Sequence, residues 1–135
     1  MKAKLLLSAW LYGSLHFAVF AQAPCSQNLE ILGLYEPLQF LSAGISITSL
    51  VDTGAELSSI DRQLAQQYKL HTPVTRQIYV RTAHGVERRD IVALRIKIRG
   101  QVLQREFTLS NRRDMKQKVL LGRNVLKGFL IDLNR

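Results

Sequence analysis

Apolar positions along this chain recur in short runs and strict alternations rather than at helical spacing. Leu29 to Tyr35 and Leu38 to Leu41 are largely apolar runs separated by Pro37, and Ile45-Ser46-Ile47-Thr48 alternates before Leu50-Val51. That period is the one expected of half-buried strands. Leu94-Arg95-Ile96-Lys97-Ile98-Arg99 alternates apolar with basic residues, Gly100 supplies a turn, and Val102 to Leu109 continues as a further strand. Arg95, Lys97 and Arg99 then form the wet face of a strand, with Arg105 and Lys69 exposed as well. Helical signals are few. Ser58 or Ser59 caps a short helix from Asp61 to Tyr68, and Asn124 to Lys127 makes one turn before a terminal strand over Phe129 to Asn134. The pattern predicts an all-β domain with one or two short helices, without repeats or long linkers.

The first residues follow a different rule. Met1-Lys2-Ala3-Lys4 precedes an apolar run from Leu5 to Phe20 and then Ala21-Gln22-Ala23-Pro24, the basic, apolar and small-residue order of a secretory signal peptide. The expected division is a signal peptide over residues 1–23, cleaved after Ala21 or Ala23, and one domain over residues 24–135, periplasmic or secreted from a bacterium. An uncleaved anchor is the competing reading, since Leu5 to Ala21 lies at the short end of what spans a bilayer. Cys25 is the only cysteine of the 135 residues, so the exported domain has no internal disulfide and its core alone carries stability.

Composition changes the picture in one respect. With 47% hydrophobic and 21% charged residues the chain is globular, and its formal charge of +9 suggests a polyanionic partner. The charge is uneven, however. Residues 24–75 hold two bases and five acids, whereas residues 76–135 hold 15 bases and five acids. The bases are spread over strands without interleaved stacking aromatics, so no nucleic-acid partner is expected.

Leu50-Val51-Asp52-Thr53-Gly54-Ala55 carries the chemistry. A carboxylate ends an apolar strand and Thr-Gly follows, turning the chain where glycine removes the side-chain obstacle. Alone, the triplet also reads as a turn in which Asp52 caps the following amides. A second block, Val119-Leu120-Leu121-Gly122-Arg123-Asn124-Val125-Leu126, stands near the end. The two together resemble the retropepsins, single-domain aspartic proteases whose best-known members are retroviral. A closer resemblance, over roughly Leu29 to Asn134, is to the bacterial retropepsin-like family often labelled "ATP-dependent zinc protease". It rests on Thr82-Ala83-His84-Gly85 leading to Glu87-Arg88-Arg89, on Glu106-Phe107-Thr108-Leu109, and on Arg112 and Met115 before the Gly122-Arg123-Asn124 block. The chain departs from that family in having Glu56 and Leu57 where a base and Thr are usual, and Lys118 where Pro is usual.

The resemblance implies a closed β-barrel of the acid-protease fold and an aspartic endopeptidase with Asp52 as its catalytic carboxylate. That chemistry needs two carboxylates about 3 Å apart sharing one proton. One chain supplies a single Asp-Thr-Gly, so the site must form across the two-fold axis of a homodimer. Thr53 and Gly54 would join the two loops, and Ala55, lacking a hydroxyl, would let the pair work at milder pH than the gastric enzymes. Glu56, Gly122, Arg123 and Asn124 would be structural, with Arg123 paired behind the loop to Glu56. Gln77 to Val92 would form a flap with His84 and Gly85 near its tip, closing over a peptide or protein substrate. Arg88 and Arg89, together with Arg112 and Arg113, would favour acidic, Glu-rich peptides. No cofactor is expected: His71 and His84 lack the His-Glu-x-x-His or cysteine pattern of a zinc site, and no Gly-x-x-x-x-Gly-Lys-Ser/Thr loop is present. No membrane span is expected after signal removal. The alternative function is a catalytically silent, retropepsin-fold peptide-binding module of the cell envelope.

Overall fold

The computed structural model describes residues 29–135; the expected signal peptide and Cys25 lie outside the described residues. In chain order the elements are β1 (Ile31–Leu32), β2 (Tyr35–Phe40), β3 (Ile45–Val51), β4 (Ser58–Asp61), α1 (Arg62–Gln67), β5 (Val74–Thr82), β6 (Gly85–Ile98), β7 (Gln101–Ser110), β8 (Val119–Leu121), α2 (Arg123–Leu126) and β9 (Leu130–Ile131). Strands β2, β3, β8, β4, β7 and β6 pair in that order, and β6 pairs back to β2 through Gln39↔Lys97 and Phe40↔Ile96. The result is a closed six-strand barrel, which leaves no open sheet edge around the core. β5 stands outside the ring, paired only to β6, and β1 and β9 form a separate parallel pair.

Alternation explains the barrel wall. Leu94, Ile96 and Ile98 point inward and are buried while Arg95 and Lys97 point out, as the sequence pattern predicts. Inside, Phe40 and Phe107 meet edge to face with ring centroids 5.9 Å apart, a favoured aromatic geometry. Val51, Ile60, Leu109, Val119 and Leu121 complete the layer beneath the Asp52 loop.

Several expectations are corrected by pairing. Pro37 does not divide two strands; it sits inside β2 opposite Thr48. β6 reaches only Gln39 and Phe40 of β2, so Pro37 lies where the strand has one neighbour and a missing donor is tolerated. Ser58 and Ser59 do not cap the first helix but lie buried in β4, between β7 and β8. Asp61 is the cap: its Oδ2 accepts the Leu64 N–H at 3.2 Å. The last helix begins one residue earlier than expected, and the terminal strand shrinks to two residues paired with β1.

Two basic residues assigned to the wet surface have partners. Arg99 donates two hydrogen bonds, of 2.9 and 2.8 Å, to the fully buried Glu36, tying the start of β2 to the β6–β7 turn. Arg105 is half-buried and donates through Nε to the Asn124 carbonyl at 3.0 Å. Among the described residues no helix is long and apolar enough to cross a membrane.

Candidate active site

Two parallel strand ends build the site. β3 and β8 run parallel with Leu50↔Leu120 and Val51↔Leu121, so Asp52 and Gly122 leave the barrel side by side. The Asp52 N–H donates to the Leu121 carbonyl at 3.0 Å, the last rung of that ladder. Beyond it the chain turns. Gly54 N–H donates to Asp52 Oδ1 at 2.9 Å and Ala55 N–H to the Asp52 carbonyl at 3.3 Å. A side chain at Gly54 would place its Cβ 3.1 Å from Oδ1, so glycine keeps the carboxylate's approach open. Asp52 is half-buried, and Thr53 and Gly54 are exposed at the loop tip.

The Gly122-Arg123-Asn124 block holds this loop from behind. Arg123 N–H donates to the Ala55 carbonyl at 2.8 Å and Asn124 N–H to the Glu56 carbonyl at 3.1 Å. Arg123 Nη1 donates to the Thr53 and Gly54 carbonyls, both at 3.2 Å; its partners are therefore loop carbonyls and not the expected Glu56 side chain. Asn124 Oδ1 accepts from both the N–H and the hydroxyl of Ser58 at 2.8 Å, while its Nδ2 donates to the Glu106 carbonyl at 2.8 Å. Gly122 has no room for a side chain, because a Cβ there would lie 2.7 Å from the Leu57 carbonyl group. The two motifs, nearly seventy residues apart, thus form one hydrogen-bonded unit.

The β5–β6 hairpin rises over this unit. Its turn lies at Ala83-His84, followed by Gly85 with φ of +117°, a conformation suited to glycine. A recess of 460 Å³ runs between the hairpin and the strand leaving the loop, lined by Ala55, Glu56, Leu57, Ser59, Ile78 to Arg81, Arg89, Thr108, Arg112 and Leu120. Within the hairpin, Ile78, Val80, Glu87 and Arg89 are half-buried while Tyr79, Arg81, Val86 and Arg88 are exposed. Arg88 and Arg89 therefore part company, since neighbours in a strand face opposite ways: Arg89 lines the recess and Arg88 does not. Likewise Arg112 lines it, whereas Arg113 faces a separate depression with Asp61, Arg62 and Asn111. His84 and Gly85 border a third hollow of 380 Å³ that also includes Arg89.

The Arg112 guanidinium has a shifted pKa. Burial, then the neighbouring Arg89 guanidinium, pushes it below its usual range. Its backbone N–H is held by Asp61 Oδ1 at 2.8 Å, and its guanidinium donates to the Gln117 carbonyl and the Ser59 hydroxyl at 3.1 and 3.3 Å. The buried Ser58, Ser59 and Asp61 were not recognisable as parts of the site from their positions in sequence, because pairing of β4 with β7 and β8 is what brings them there.

Comparison with known proteins agrees with this arrangement. The chain superposes on a protein of unknown function (DUF785) from Legionella pneumophila with TM-score 0.56 and 21% identity, over 78% of this chain and 94% of that one. It also superposes on the simian foamy virus protease with TM-score 0.53 and 16% identity, over 68% and 90% of the two chains. A third similar structure is the retroviral protease-like domain of Ddi1 from Leishmania major, with TM-score 0.52 and 22% identity over 70% and 74%. These likenesses establish a retropepsin-like fold. No curated protein matches the chain in sequence. The profile described as "gag-polyprotein putative aspartyl protease" matches residues 39–128, which spans the Asp52 loop, the hairpin and the Gly122-Arg123-Asn124 block, and the chain belongs to that family.

Proposed function

We propose that this protein is an exported aspartic endopeptidase whose active site assembles from Asp52 of two identical chains. The observation that supports this most directly is the Asp52 loop itself. Its carboxylate is half-buried at a strand end three residues before the recess begins at Ala55, its tip is exposed, and its backbone is held by Arg123 and Asn124. One chain presents one such carboxylate, and water-activated peptide hydrolysis needs an acid and a base. Across a two-fold axis one Asp52 accepts the proton of the attacking water, while its protonated twin hydrogen-bonds the scissile carbonyl; the roles exchange as the intermediate collapses. Thr53 and Gly54, exposed at the tip, are placed to meet their counterparts, and the β5–β6 hairpin closes over the peptide and excludes water. The reading includes a preference for acidic peptides, supported by the basic balance of residues 76–135.

The test is cleavage of a peptide library by the purified protein beside Asp52→Asn, with the assembly state measured by native mass spectrometry. The expected outcome is a dimer whose cleavage falls by more than about a hundredfold in the variant, with an unchanged thermal melt. Cleavage that survives in Asp52→Asn excludes the paired-acid mechanism.

A further inference from the structure

Arg112 is a partly desolvated cation without an ion-pair partner among the described residues. It is half-buried, and its hydrogen-bond acceptors are a carbonyl and a hydroxyl, both neutral. None of the three ion pairs among the described residues involves it. The Asp61 and Asp52 carboxylates act on it only at a distance, and the two Asp61 oxygens are occupied by the Leu64 and Arg112 backbone N–H groups. Two further cations line the recess: Arg81, which is exposed, and the half-buried Arg89, whose Nε and Nη2 both bind a single oxygen of Glu87, at 3.0 and 2.8 Å. Glu56 lines the same recess, but the cation whose charge it reinforces is Arg76. Burying a cation costs free energy unless an anion meets it, and here no carboxylate of the described residues pairs directly with the guanidinium.

We infer that the recess between Ala55 and Arg112 reads a carboxylate side chain of the substrate through Arg89 and Arg112. The inference rests on the protease reading for what passes through the recess. It deepens that reading in two ways. First, the specificity belongs to Arg89 and Arg112, whereas Arg88 and Arg113 only add to the general field. Second, the recess starts at Ala55, three residues past Asp52. The Ala55 N–H donates to the Asp52 carbonyl at 3.3 Å, so the side chain read is among those near the scissile bond. A homodimer carries two copies of the recess related by its two-fold axis. The preferred substrate therefore bears Glu or Asp on both sides of the cut, at matching distances from it.

The experiment uses peptides with Glu, Gln or Lys fixed in turn at each of the three positions on either side of the bond. Cleavage is followed with wild type, Arg112→Gln, Arg112→Lys and Arg89→Gln, and binding of the same peptides is followed with Asp52→Asn alone and combined with Arg112→Gln. The Glu-over-Gln ratio at one symmetric pair of positions is expected to fall roughly tenfold in Arg112→Gln and Arg89→Gln, the scale of one charge-assisted contact, and to be partly kept in Arg112→Lys. Circular dichroism melts show whether each variant is folded, and Arg89→Gln, which leaves the Arg112 anchor intact, serves if Arg112→Gln does not fold. A flat profile at every position, a preference on one side only, or a Glu preference untouched by both substitutions overturns the assignment. If wild type cuts nothing while Asp52→Asn still binds Glu peptides more tightly than Gln peptides, and loses this on adding Arg112→Gln, the protease reading fails and the recess assignment stands.

Discussion

Asn124 uses both ends of its amide: two hydrogen bonds received from Ser58 and one given to the Glu106 carbonyl, all at 2.8 Å. This side chain ties β4 and β7 to the second motif, so Asn124→Ala leaves three partners to find water in a half-buried place. Its stability is expected to fall by about 3 kcal/mol or more, at about 1–3 kcal/mol for each of the three groups left unsatisfied; Asn124→Asp, which keeps the acceptor, should lose less. Urea denaturation measures both, and a loss below about 1 kcal/mol would mean that water replaces these bonds. Gly122 is constrained by space: a Cβ meets the Leu57 carbonyl at 2.7 Å, so Gly122→Ala is expected to destabilise by about 1–3 kcal/mol, as overpacking does. Both residues were legible as a motif in the sequence. Their partners were not, because Ser58 and Glu106 are distant in the chain and come close only when the barrel closes.

At the level of elements, the hairpin is both lid and recess wall, and its register decides which side chains do which work. Val80↔Glu87 and Ile78↔Arg89 pair across it on the half-buried face, and Tyr79↔Arg88 and Arg81↔Val86 on the exposed face; a slip of one residue would exchange them. Arg76 anchors the hairpin's base to β7 through two hydrogen bonds to Glu106, of 3.1 and 2.7 Å. The Arg76 hydrogen bond holds the Glu106 carboxyl below its ordinary value of 4.5, against a weaker opposing effect of burial. A lowered folded-state value stabilises the fold at pH above the ordinary value, and that contribution disappears as pH falls through the lowered one. Wild type is therefore expected to melt slightly higher than Arg76→Gln near neutral pH, with the difference vanishing in acid; a difference that persists at low pH assigns the effect to packing. The contribution is small because both side chains are substantially exposed.

For the molecule as a whole, the proposal that two chains share one site has a consequence in mixtures. If wild type and Asp52→Asn exchange subunits freely at equal amounts, roughly one quarter of the dimers keep both acids. Activity per wild-type chain is then expected to fall to about half, and further as the variant is added in excess. An activity that simply tracks the wild-type concentration contradicts a shared site. The proposed export of the chain remains a matter of residues 1–23, and the proposed acidic preference a matter of the recess, so each can fail without the other.

Local pattern carried most of the fold. Alternation in Leu94 to Arg99 was enough to predict a half-buried strand, since side-chain period is a property of the backbone alone, and Asp52-Thr53-Gly54 with Gly122-Arg123-Asn124 was enough to point to the retropepsin-like class. The linear pattern is therefore sufficient for the strand-rich architecture and the identity of the chemical motif. It takes the folded barrel to make Ser58 and Ser59 buried strand residues, to bring Arg99 to Glu36 and Arg123 to the loop carbonyls, and to set Arg89 and Arg112 in one recess while Arg88 and Arg113 lie outside it. The reason is physical: those outcomes depend on strand register and barrel closure between segments tens of residues apart, and one step of register reverses which face a side chain occupies.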